Sequence, residues 1–302
     1  MEKIIVIGSC NTDMVIKSDR LPVPGETILG GTFFMNPGGK GANQAVAVAR
    51  LGGKVSFVAK TGNDIFGKQS IELYQTEHIN TDYVFSDAQQ PSGVALITVD
   101  AHGENCIVVA SGANAHLMPK DVEHARQEVE SGDILLMQLE IPYETVEYSA
   151  RIANEKGMKI ILNPAPAQSL PQSLLNKLFL ITPNRNEAEI LSGIKVTDIE
   201  SAKKAAKAIS EKGVENVVIT LGVQGSLVKE KDNYYHVEAC KVDTVDTTAA
   251  GDTFNGGLCV ALSEGKSLKE AVEFAAKAAA LTVTRMGAQS SIPYRKEILS
   301  MS

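Results

Sequence analysis

The sequence contains no tryptophan, and aromatic residues make up only 5% of its 302 residues. Proteins that stack nucleic acid bases need aromatic platforms, so this scarcity argues against a nucleic-acid binder. The formal net charge of −7 and the pI of about 5.4 agree, because nucleic acids and anionic membranes attract basic surfaces. We therefore expect neither nucleic acid nor membrane among the partners.

The four cysteines, Cys10, Cys106, Cys240 and Cys259, lie far apart and form no C-x-x-C pair. This spacing disfavours a disulfide scaffold or a zinc site and fits a reduced cytosol. No apolar run approaches membrane-spanning length. The first apolar run, within MEKIIVIGSCNTD, is too short for a signal peptide and predicts a buried strand. The sequence thus predicts a cytoplasmic protein.

Short β-branched runs alternate with helical segments along most of the chain. The predicted strands are residues 3–8, 55–59, 134–138, 159–162, 180–182 and 217–220. The predicted helices are residues 43–51, 66–76, 144–156, 186–192, 199–212, 252–262 and 268–286. Alternation of this kind predicts an α/β fold, a three-layer α/β/α sandwich around a mostly parallel sheet. Residues 15–36 and 93–110 break the rhythm and predict a small antiparallel β insertion.

The segment DTTAAGDTFNGGL, residues 246–258, places Asp252 behind three small residues at a predicted helix start. Ala249, Ala250 and Gly251 leave backbone N–H groups uncovered, and with the helix dipole these donors form an anion pocket. A phosphoryl group in transit needs such room, and a carboxylate beside it would accept the proton of an attacking hydroxyl. An ordinary Asp N-cap after a loop is the alternative.

A second glycine-rich segment, NPGGKGAN, covers residues 36–43. Gly38, Gly39 and Gly41 permit positive φ angles and a close backbone approach, and Lys40 and Asn43 offer polar contacts. The segment precedes an Ala-rich helix, which favours a ligand-binding loop. A flexible loop that caps the helix is the alternative.

Polar residues follow two further predicted strands, where ligands of open α/β sheets bind. Asn11 and Asp13 in GSCNTD can point the same way and suit a polyhydroxylated ligand such as a sugar. Glu140 in MQLE can accept a hydrogen bond from a ligand hydroxyl. An Asx turn and a helix cap, respectively, are the alternatives.

Two more motifs lie at strand ends and suit a nucleotide. Asn184 and Glu187 in PNRNE can position phosphates and Mg²⁺ through water. The turn TLGVQG, residues 220–225, can pass along a nucleotide. Ordinary loop chemistry explains each motif alone. One further segment, residues 62–69, nearly matches the P-loop pattern. Gln69 stands where a P-loop has the Ser or Thr whose hydroxyl binds Mg²⁺, so we predict no P-loop there.

Together these motifs resemble the ribokinase (PfkB-type) sugar kinase family over essentially the whole chain. NPGGKGANQAVA and DTTAAGDTFNGG match the two signatures of the family in the right order, and MQLE, NPAPA, TPNRNEAE and ITLG lie between them. The resemblance implies one α/β domain, with a β lid formed by residues of about 11–40 and 92–111. The lid would close over a sugar and pair with a second lid in a homodimer.

The implied reaction moves the γ-phosphoryl group of ATP to the 5-hydroxyl of D-ribose, with Mg²⁺. By resemblance, Asp252 is the catalytic base, and the backbone of Ala249, Ala250, Gly251 and Asp252 is the anion hole. The remaining implied contacts are Asn11, Asp13, Gly39, Lys40, Asn43 and Glu140 for ribose, and Asn184, Glu187, Thr220, Gly222 and Gly225 for the nucleotide and Mg²⁺.

The family also binds a monovalent cation, usually K⁺, beside the anion hole. The matching positions are Asp246, Thr248, Thr282, Arg285, Gly287 and Ser291, several through backbone carbonyls. Ala276 departs from the family, because many relatives carry His or Asn near the adenine. A sibling kinase acting on 2-deoxyribose, another sugar or a nucleoside, and a non-catalytic sugar or nucleotide sensor, remain alternatives.

Overall fold

The computed structural model describes residues 2–301. Its strands, in chain order, are β1 (Lys3–Ile7), β2 (Asn11–Lys17), β3 (Thr32–Gly38), β4 (Lys54–Gly62), β5 (Val84–Asp87), β6 (Gly93–Val99), β7 (Asn105–Ala110), β8 (Ile134–Met137), β9 (Lys159–Leu162), β10 (Leu180–Ile181), β11 (Asn216–Thr220), β12 (Ser226–Glu230) and β13 (Asn233–Val237). Its helices are α1 (Lys40–Arg50), α2 (Ile65–Thr76), α3 (Pro119–His124), α4 (Arg126–Glu130), α5 (Tyr143–Glu155), α6 (Gln172–Leu175), α7 (Arg185–Ser192), α8 (Ile199–Ser210), α9 (Ala250–Ser263), α10 (Leu268–Thr282) and α11 (Arg295–Leu299).

The central sheet is covered on both faces, as strand β1 shows. Ile4 and Val6 pack into one hydrophobic core with residues of α1, α9, α10 and α11. Ile5 and Ile7, which point to the other face, pack into a second core with residues of α3, α5, α7 and α8. All four side chains are 0% exposed, which explains the continuous β-branched sequence of the strand. The predicted three-layer α/β/α fold is confirmed.

The order of strands in this sheet creates the place for a site. Within residues 2–301, nine strands run in the order β13–β12–β11–β10–β9–β8–β1–β4–β5, and only the pairings of β12 are antiparallel. The chain first builds outward from β1 through β4 and later from β8 in the opposite direction. The neighbours β1 and β8 therefore flank a topological switch point, where the carboxyl ends of strands leave a crevice.

A second, smaller sheet stands apart from the first in the order β3–β2–β6–β7. The hairpin of β2 with β3 and the hairpin of β6 with β7 are antiparallel, as the sequence predicts. Strands β2 and β6 join the two hairpins by a parallel pairing, which the sequence did not indicate. Strand β2 starts at Asn11, only four residues after β1 ends at Ile7, so this sheet begins directly at the crevice.

The last long helix ends earlier than its sequence pattern predicts. Helix α10 ends at Thr282, because the Val283 carbonyl accepts the backbone N–H groups of Val245 at 2.7 Å and Asp246 at 3.2 Å. The following turn has a positive φ of 92° at Gly287. Residues 283–288 thus form a loop against Val245 and Asp246, and a short 3-10 helix, Gln289–Ser291, follows it. Between residues 2 and 301, no helix is both long enough and apolar enough to span a bilayer.

Candidate active site

The side chain of Asp252 lies in the first turn of α9 and is 8% exposed. Its Oδ2 accepts a hydrogen bond from Asn43 Nδ2 at 2.9 Å, and its Oδ1 accepts one from Gln44 Nε2 at 2.9 Å. The N-cap of the helix is Ala249, with φ 59°, so the alternative of an ordinary Asp N-cap is wrong. The carboxylate is held by two side-chain amides of α1.

The electrostatics around Asp252 increase its basicity. Burial raises the pKa of the Asp252 carboxyl, and the opposing effects of Lys40 and the two amides leave it above its usual range. A carboxylate with a raised pKa is a stronger proton acceptor than an exposed one. The geometry and the charge of this group both suit general-base chemistry.

The small residues before Asp252 leave open space at the start of α9. A Cβ atom built on Gly251 would meet nothing within 4 Å. The N–H of Ala250 already donates to the Thr247 carbonyl at 3.2 Å. Within residues 2–301, the N–H groups of Gly251 and Asp252 have no acceptor, as expected in the first turn of a helix. Of the four predicted anion-hole positions, the structure thus leaves the N–H groups of Ala249, Gly251 and Asp252 available to a ligand, whereas that of Ala250 already has an acceptor within residues 2–301.

The glycine loop is pressed against the start of β2. Gly39 is the N-cap of α1 with φ 87°, and a Cβ there would lie 2.7 Å from the Asn11 nitrogen. A Cβ on Gly38 would lie 2.2 Å from a carboxylate oxygen of Asp13. Only glycine allows so close an approach. As a result, Asn11 and Asp13 lie beside the start of the helix that carries Lys40 and Asn43.

Glu140 joins this group from the end of β8. Its Oε2 accepts the Ser9 hydroxyl at 2.6 Å and the backbone N–H of Lys40 at 3.1 Å. The Lys40 ammonium lies 4.0 Å from the other oxygen of Glu140. The carboxylate therefore fixes the loop after β1 to the start of α1, across the switch point of the sheet.

Negative charge exceeds positive charge in this crevice. Burial opposes the charge of Lys40, but the carboxylates Asp252, Glu140, Glu187 and Asp13 outweigh it and raise the pKa of its ammonium. Burial, followed by the charges of Glu140 and Asp252, raises the pKa of Asp13 from 3.8 to about 6. A single ammonium thus faces several carboxylates, an arrangement that suits a ligand with many hydroxyl donors.

A second cavity, of about 460 Å³, opens onto the start of α9. Thr220, Gly222 and Gly225 line one side of it, and Ala250 and Gly251 line the end nearest Asp252. Ala276 also lines the cavity, so its small side chain leaves room there. The cavity and the polar crevice meet at the first turn of α9.

Asn184 and Glu187 lie at the N-terminus of α7 and cap it reciprocally. Asn184 Oδ1 accepts the Glu187 N–H at 2.9 Å, and Glu187 Oε2 accepts the Asn184 N–H at 2.8 Å. Asn184 pairs with Thr220 by an isolated β-bridge, so this cap adjoins the cavity. Burial raises the pKa of the Glu187 carboxyl. Both residues have a structural role, and Glu187 Oε1 accepts no hydrogen bond from residues 2–301, so it is available to a ligand.

The near match to a P-loop is not a phosphate cradle. Asp64 is the N-cap of α2 and accepts the Gly67 N–H at 2.9 Å. Its other oxygen accepts the Ser92 N–H at 2.7 Å. A carboxylate thus fills the place that a phosphate would take, as the sequence predicts.

Asp246 ties together the two loops that match the predicted cation site. Its Oδ1 accepts the Thr248 N–H at 2.9 Å, and its Oδ2 accepts the Gly287 N–H at 2.9 Å. Thr282 and Ser291 are fully buried beside these loops, whereas the Arg285 side chain pairs with Glu297. The predicted ligands, one carboxylate, a hydroxyl and backbone carbonyls, would be a hard oxygen set, which suits a cation such as K⁺ better than a transition metal.

The chain matches the model of the pfkB family carbohydrate kinases over residues 1–295. The chain belongs to this family. Ribokinase from Haemophilus influenzae is 48% identical over 296 residues, 98% of this chain and 97% of the relative. Deoxyribokinase from Salmonella typhi is 38% identical over 291 residues, which cover 96% of this chain and 95% of the relative. The solved structure of Arabidopsis thaliana ribokinase complexed with ribose and ATP has a TM-score of 0.93 at 34% identity, and the match covers 99% of this chain and 97% of that one.

Several polar residues at this site were not predicted from the sequence. Gln44, Gln138 and Asn163 form a buried amide chain that ends on Asp252. Asn114 holds the Asn11 side chain, and Ser9 holds Glu140. The available signal was a polar residue inside an apolar segment, such as Gln44 in the Ala-rich α1. The predicted residues Asn11, Asp13, Gly39, Lys40, Asn43, Glu140 and Asp252 do come together in the crevice.

Proposed function

We propose that this chain is an ATP-dependent ribokinase that converts D-ribose to D-ribose 5-phosphate and releases ADP. The observation that carries the proposal is the position of Asp252, buried where the carboxylate-rich crevice meets the cavity of about 460 Å³. A base at this junction can touch an acceptor hydroxyl on one side and a transferring phosphoryl group on the other. The full-length similarity to ribokinases supports ribose as the acceptor.

The crevice would bind the sugar. Carboxylates of Asp13 and Glu140 accept hydrogen bonds from hydroxyl groups, and the amides and ammonium of Asn11, Asn43 and Lys40 donate to them. Gly39 would bring its backbone close to the ring, since it carries no side chain. We propose that the whole chain acts as one domain, and that residues 11–40 and 92–111 close over the sugar and exclude water.

The cavity would bind ATP, with Thr220, Gly222 and Gly225 along the nucleotide and Asn184 near its phosphates. Mg²⁺ with ATP takes only one or two protein carboxylates, because phosphates and water supply its other ligands. Glu187 fits this role through water, and the ion would neutralise charge on the phosphate oxygens. Among residues 2–301, no group of three or more His, Cys, Asp or Glu side chains is placed to hold a metal ion.

The reaction is a single displacement. An oxygen of Asp252 accepts the proton of the 5-hydroxyl while that hydroxyl oxygen bonds to the γ-phosphorus. The bond from this phosphorus to the bridging oxygen breaks, and ADP leaves with the electron pair. The N–H groups of Gly251 and Asp252, with the dipole of α9, stabilise the charge on the moving phosphoryl oxygens.

A monovalent cation such as K⁺ would bind Asp246, Ser291 and the carbonyls of Thr248, Thr282, Arg285 and Gly287. The cation would fix the loop before α9 and add positive charge near the anion pocket. Asp246 supports this role, because burial would raise its pKa but the Gly287 and Thr248 hydrogen bonds hold it below the usual range. An ionised carboxylate is therefore present at the proposed cation site.

The small sheet would also pair with a second copy of the chain. One face of this sheet carries exposed apolar side chains in register across its four strands: Ile16, Phe33, Met35, Leu96 and Val108. A contiguous exposed apolar patch of this kind is typical of a protein interface. Leu96→Lys should convert a dimer to a monomer in light scattering after gel filtration. An unchanged mass would remove this face from the interface.

The test of function is ADP release by the purified protein with ATP and Mg²⁺. D-ribose should give the highest kcat/KM against 2-deoxyribose, fructose and adenosine, and K⁺ should increase the rate over Na⁺. A preference for 2-deoxyribose or another acceptor would keep the mechanism and change the substrate. No turnover with any of them would favour a sugar or nucleotide sensor, which sugar-induced thermal stabilisation would reveal.

A further inference from the structure

The Gln44 side chain is fully buried and makes hydrogen bonds to three different side chains. Its Nε2 donates to Asp252 Oδ1 at 2.9 Å and to Asn163 Oδ1 at 3.0 Å. Its Oε1 accepts Gln138 Nε2 at 2.6 Å. These partners come from α9, from the segment after β9 and from the end of β8. One amide of α1 therefore joins the base to two central strands of the sheet.

The amide of Gln44 has only one satisfactory orientation in this setting. Asn163 Nδ2 donates to the Thr182 carbonyl at 3.3 Å, so the Asn163 oxygen must face Gln44. With Gln44 flipped, its oxygen would face Asp252 and Asn163 oxygens with no proton between them, and its NH₂ group would face the NH₂ group of Gln138. Both contacts would be repulsive. The NH₂ end of Gln44 is thus directed at the base.

The orientation of Gln138 is maintained although it leaves a polar atom without a partner. Gln138 is 0% exposed, and its Oε1 has no hydrogen-bond partner among residues 2–301. A Cβ atom built on Gly8 would lie only 2.1 Å from that oxygen. Buried polar atoms without partners are rare in folded proteins and call for an explanation. The hydrogen bond that Gln138 donates to Gln44 supplies that explanation.

We infer that Gln44, fixed by Gln138 and Asn163, is a positioning residue that aligns the Asp252 carboxylate for phosphoryl transfer. The inference rests on the proposed kinase function. Asn43 holds one oxygen of Asp252 and Gln44 holds the other, so the carboxylate cannot rotate about its Cβ–Cγ bond without losing both. A lone pair then stays directed at the acceptor hydroxyl, and the catalytic contact is formed before the substrates bind.

Gln44→Met tests this role, because Met has a similar length but neither donates nor accepts these hydrogen bonds. We expect kcat with ribose to fall by about tenfold or more, while the KM values for ribose and ATP change by less than about threefold, the pattern of a lost transition-state interaction. Gln138→Met leaves Gln44 in place but removes the hydrogen bond that fixes its amide. It should give a smaller loss in kcat, again with little change in KM. Gln75→Met, on the exposed face of α2, is the matched control and should leave the kinetics unchanged.

The decisive measurement repeats Gln44→Met in the Asp252→Asn background. If Gln44 acts through Asp252, the second substitution should lower the residual kcat by less than about twofold, because coupled residues are not additive. An equal fractional loss in both backgrounds, or a rise in the KM values that matches the loss in kcat, would overturn the inference and assign Gln44 a packing role. Absence of wild-type turnover would overturn the proposed function itself, together with this role.

Discussion

The side chain of Asn114 holds the side chain of Asn11 at the base of the small sheet. Asn114 Nδ2 donates to Asn11 Oδ1 at 2.7 Å and to the Cys10 carbonyl at 3.0 Å, and Asn114 Oδ1 accepts the Cys10 N–H at 2.9 Å. Asn114 follows β7, whereas Asn11 begins β2. One buried amide thus ties the exit of the small sheet to its entry, and it directs the NH₂ group of Asn11 away from itself.

Asn114→Ala should release Asn11 and weaken sugar binding. The variant leaves the Cys10 N–H and carbonyl without their buried partner, which costs about 1–3 kcal/mol of unfolding free energy for such groups. We expect KM for ribose to rise by about tenfold, with a smaller change in kcat, because the reacting groups at Asp252 are untouched. Steady-state kinetics on the variant check this, with Asn105→Ala on the exposed β7 as control. A fall in kcat at constant KM would contradict the assignment.

Asp252→Asn should keep the fold and ATP binding but lose the base. We expect kcat to fall by at least about a hundredfold, the low end for removal of a general base. The amide has a similar shape, so nucleotide titration should resemble that of the wild type, while its NH₂ group gives up one of the two hydrogen bonds from the α1 amides and Tm is expected to change modestly. Asp243→Asn, in an exposed loop, serves as the control. Near-normal turnover of the Asp252 variant would remove this residue from the role.

Gly251→Ala should separate stability from activity at the anion pocket. The new methyl group meets no atom of the protein within 4 Å, so the helix can accept it. Alanine is also favoured over glycine in a helix by about 1 kcal/mol. We expect an unchanged or higher Tm together with a fall of about tenfold or more in kcat/KM for ATP, because the methyl group lies where the phosphoryl group must pass. Unchanged kinetics would show that phosphate does not approach this turn.

Asp13→Asn should stabilise the free protein at neutral pH. The pKa of Asp13 is raised from 3.8 to about 6 in the folded state, so the folded state binds more protons than the unfolded state between these values. Its contribution to stability therefore falls as pH rises through this window. At pH 7 the ionised group costs no more than about 3 kcal/mol of unfolding free energy, since one pKa unit corresponds to 1.36 kcal/mol. The Tm advantage of the variant should be present at pH 7 and vanish near pH 4, while ribose turnover is lost. An equal difference at both pH values would contradict the assigned titration.

Much of the fold and part of the site could be predicted because they depend on local sequence patterns. The β-branched run of β1, the two glycine-rich segments and the small residues before Asp252 each follow from short-range sterics. The end of α10 was predicted too late, since it depends on the Val283 carbonyl, which binds a loop almost 40 residues earlier in the chain. The parallel pairing of β2 with β6 could not be predicted either, because strand partners far apart in sequence leave no local pattern.

The sequence by itself determined the α/β architecture, the glycine loop and the carboxylate of Asp252 near a helix start, because turns, helix starts and buried strands depend on neighbouring residues. Tertiary structure alone decided which amides surround that carboxylate. Gln138 is 94 residues from Gln44, and Gln44 is 208 residues from Asp252. Hydrogen-bond partners at such separations are chosen by the order of strands in the sheet, which brings β1 and β8 together beneath α1 and α9. Local chemistry supplied the reactive groups, and the topology of the sheet aligned them.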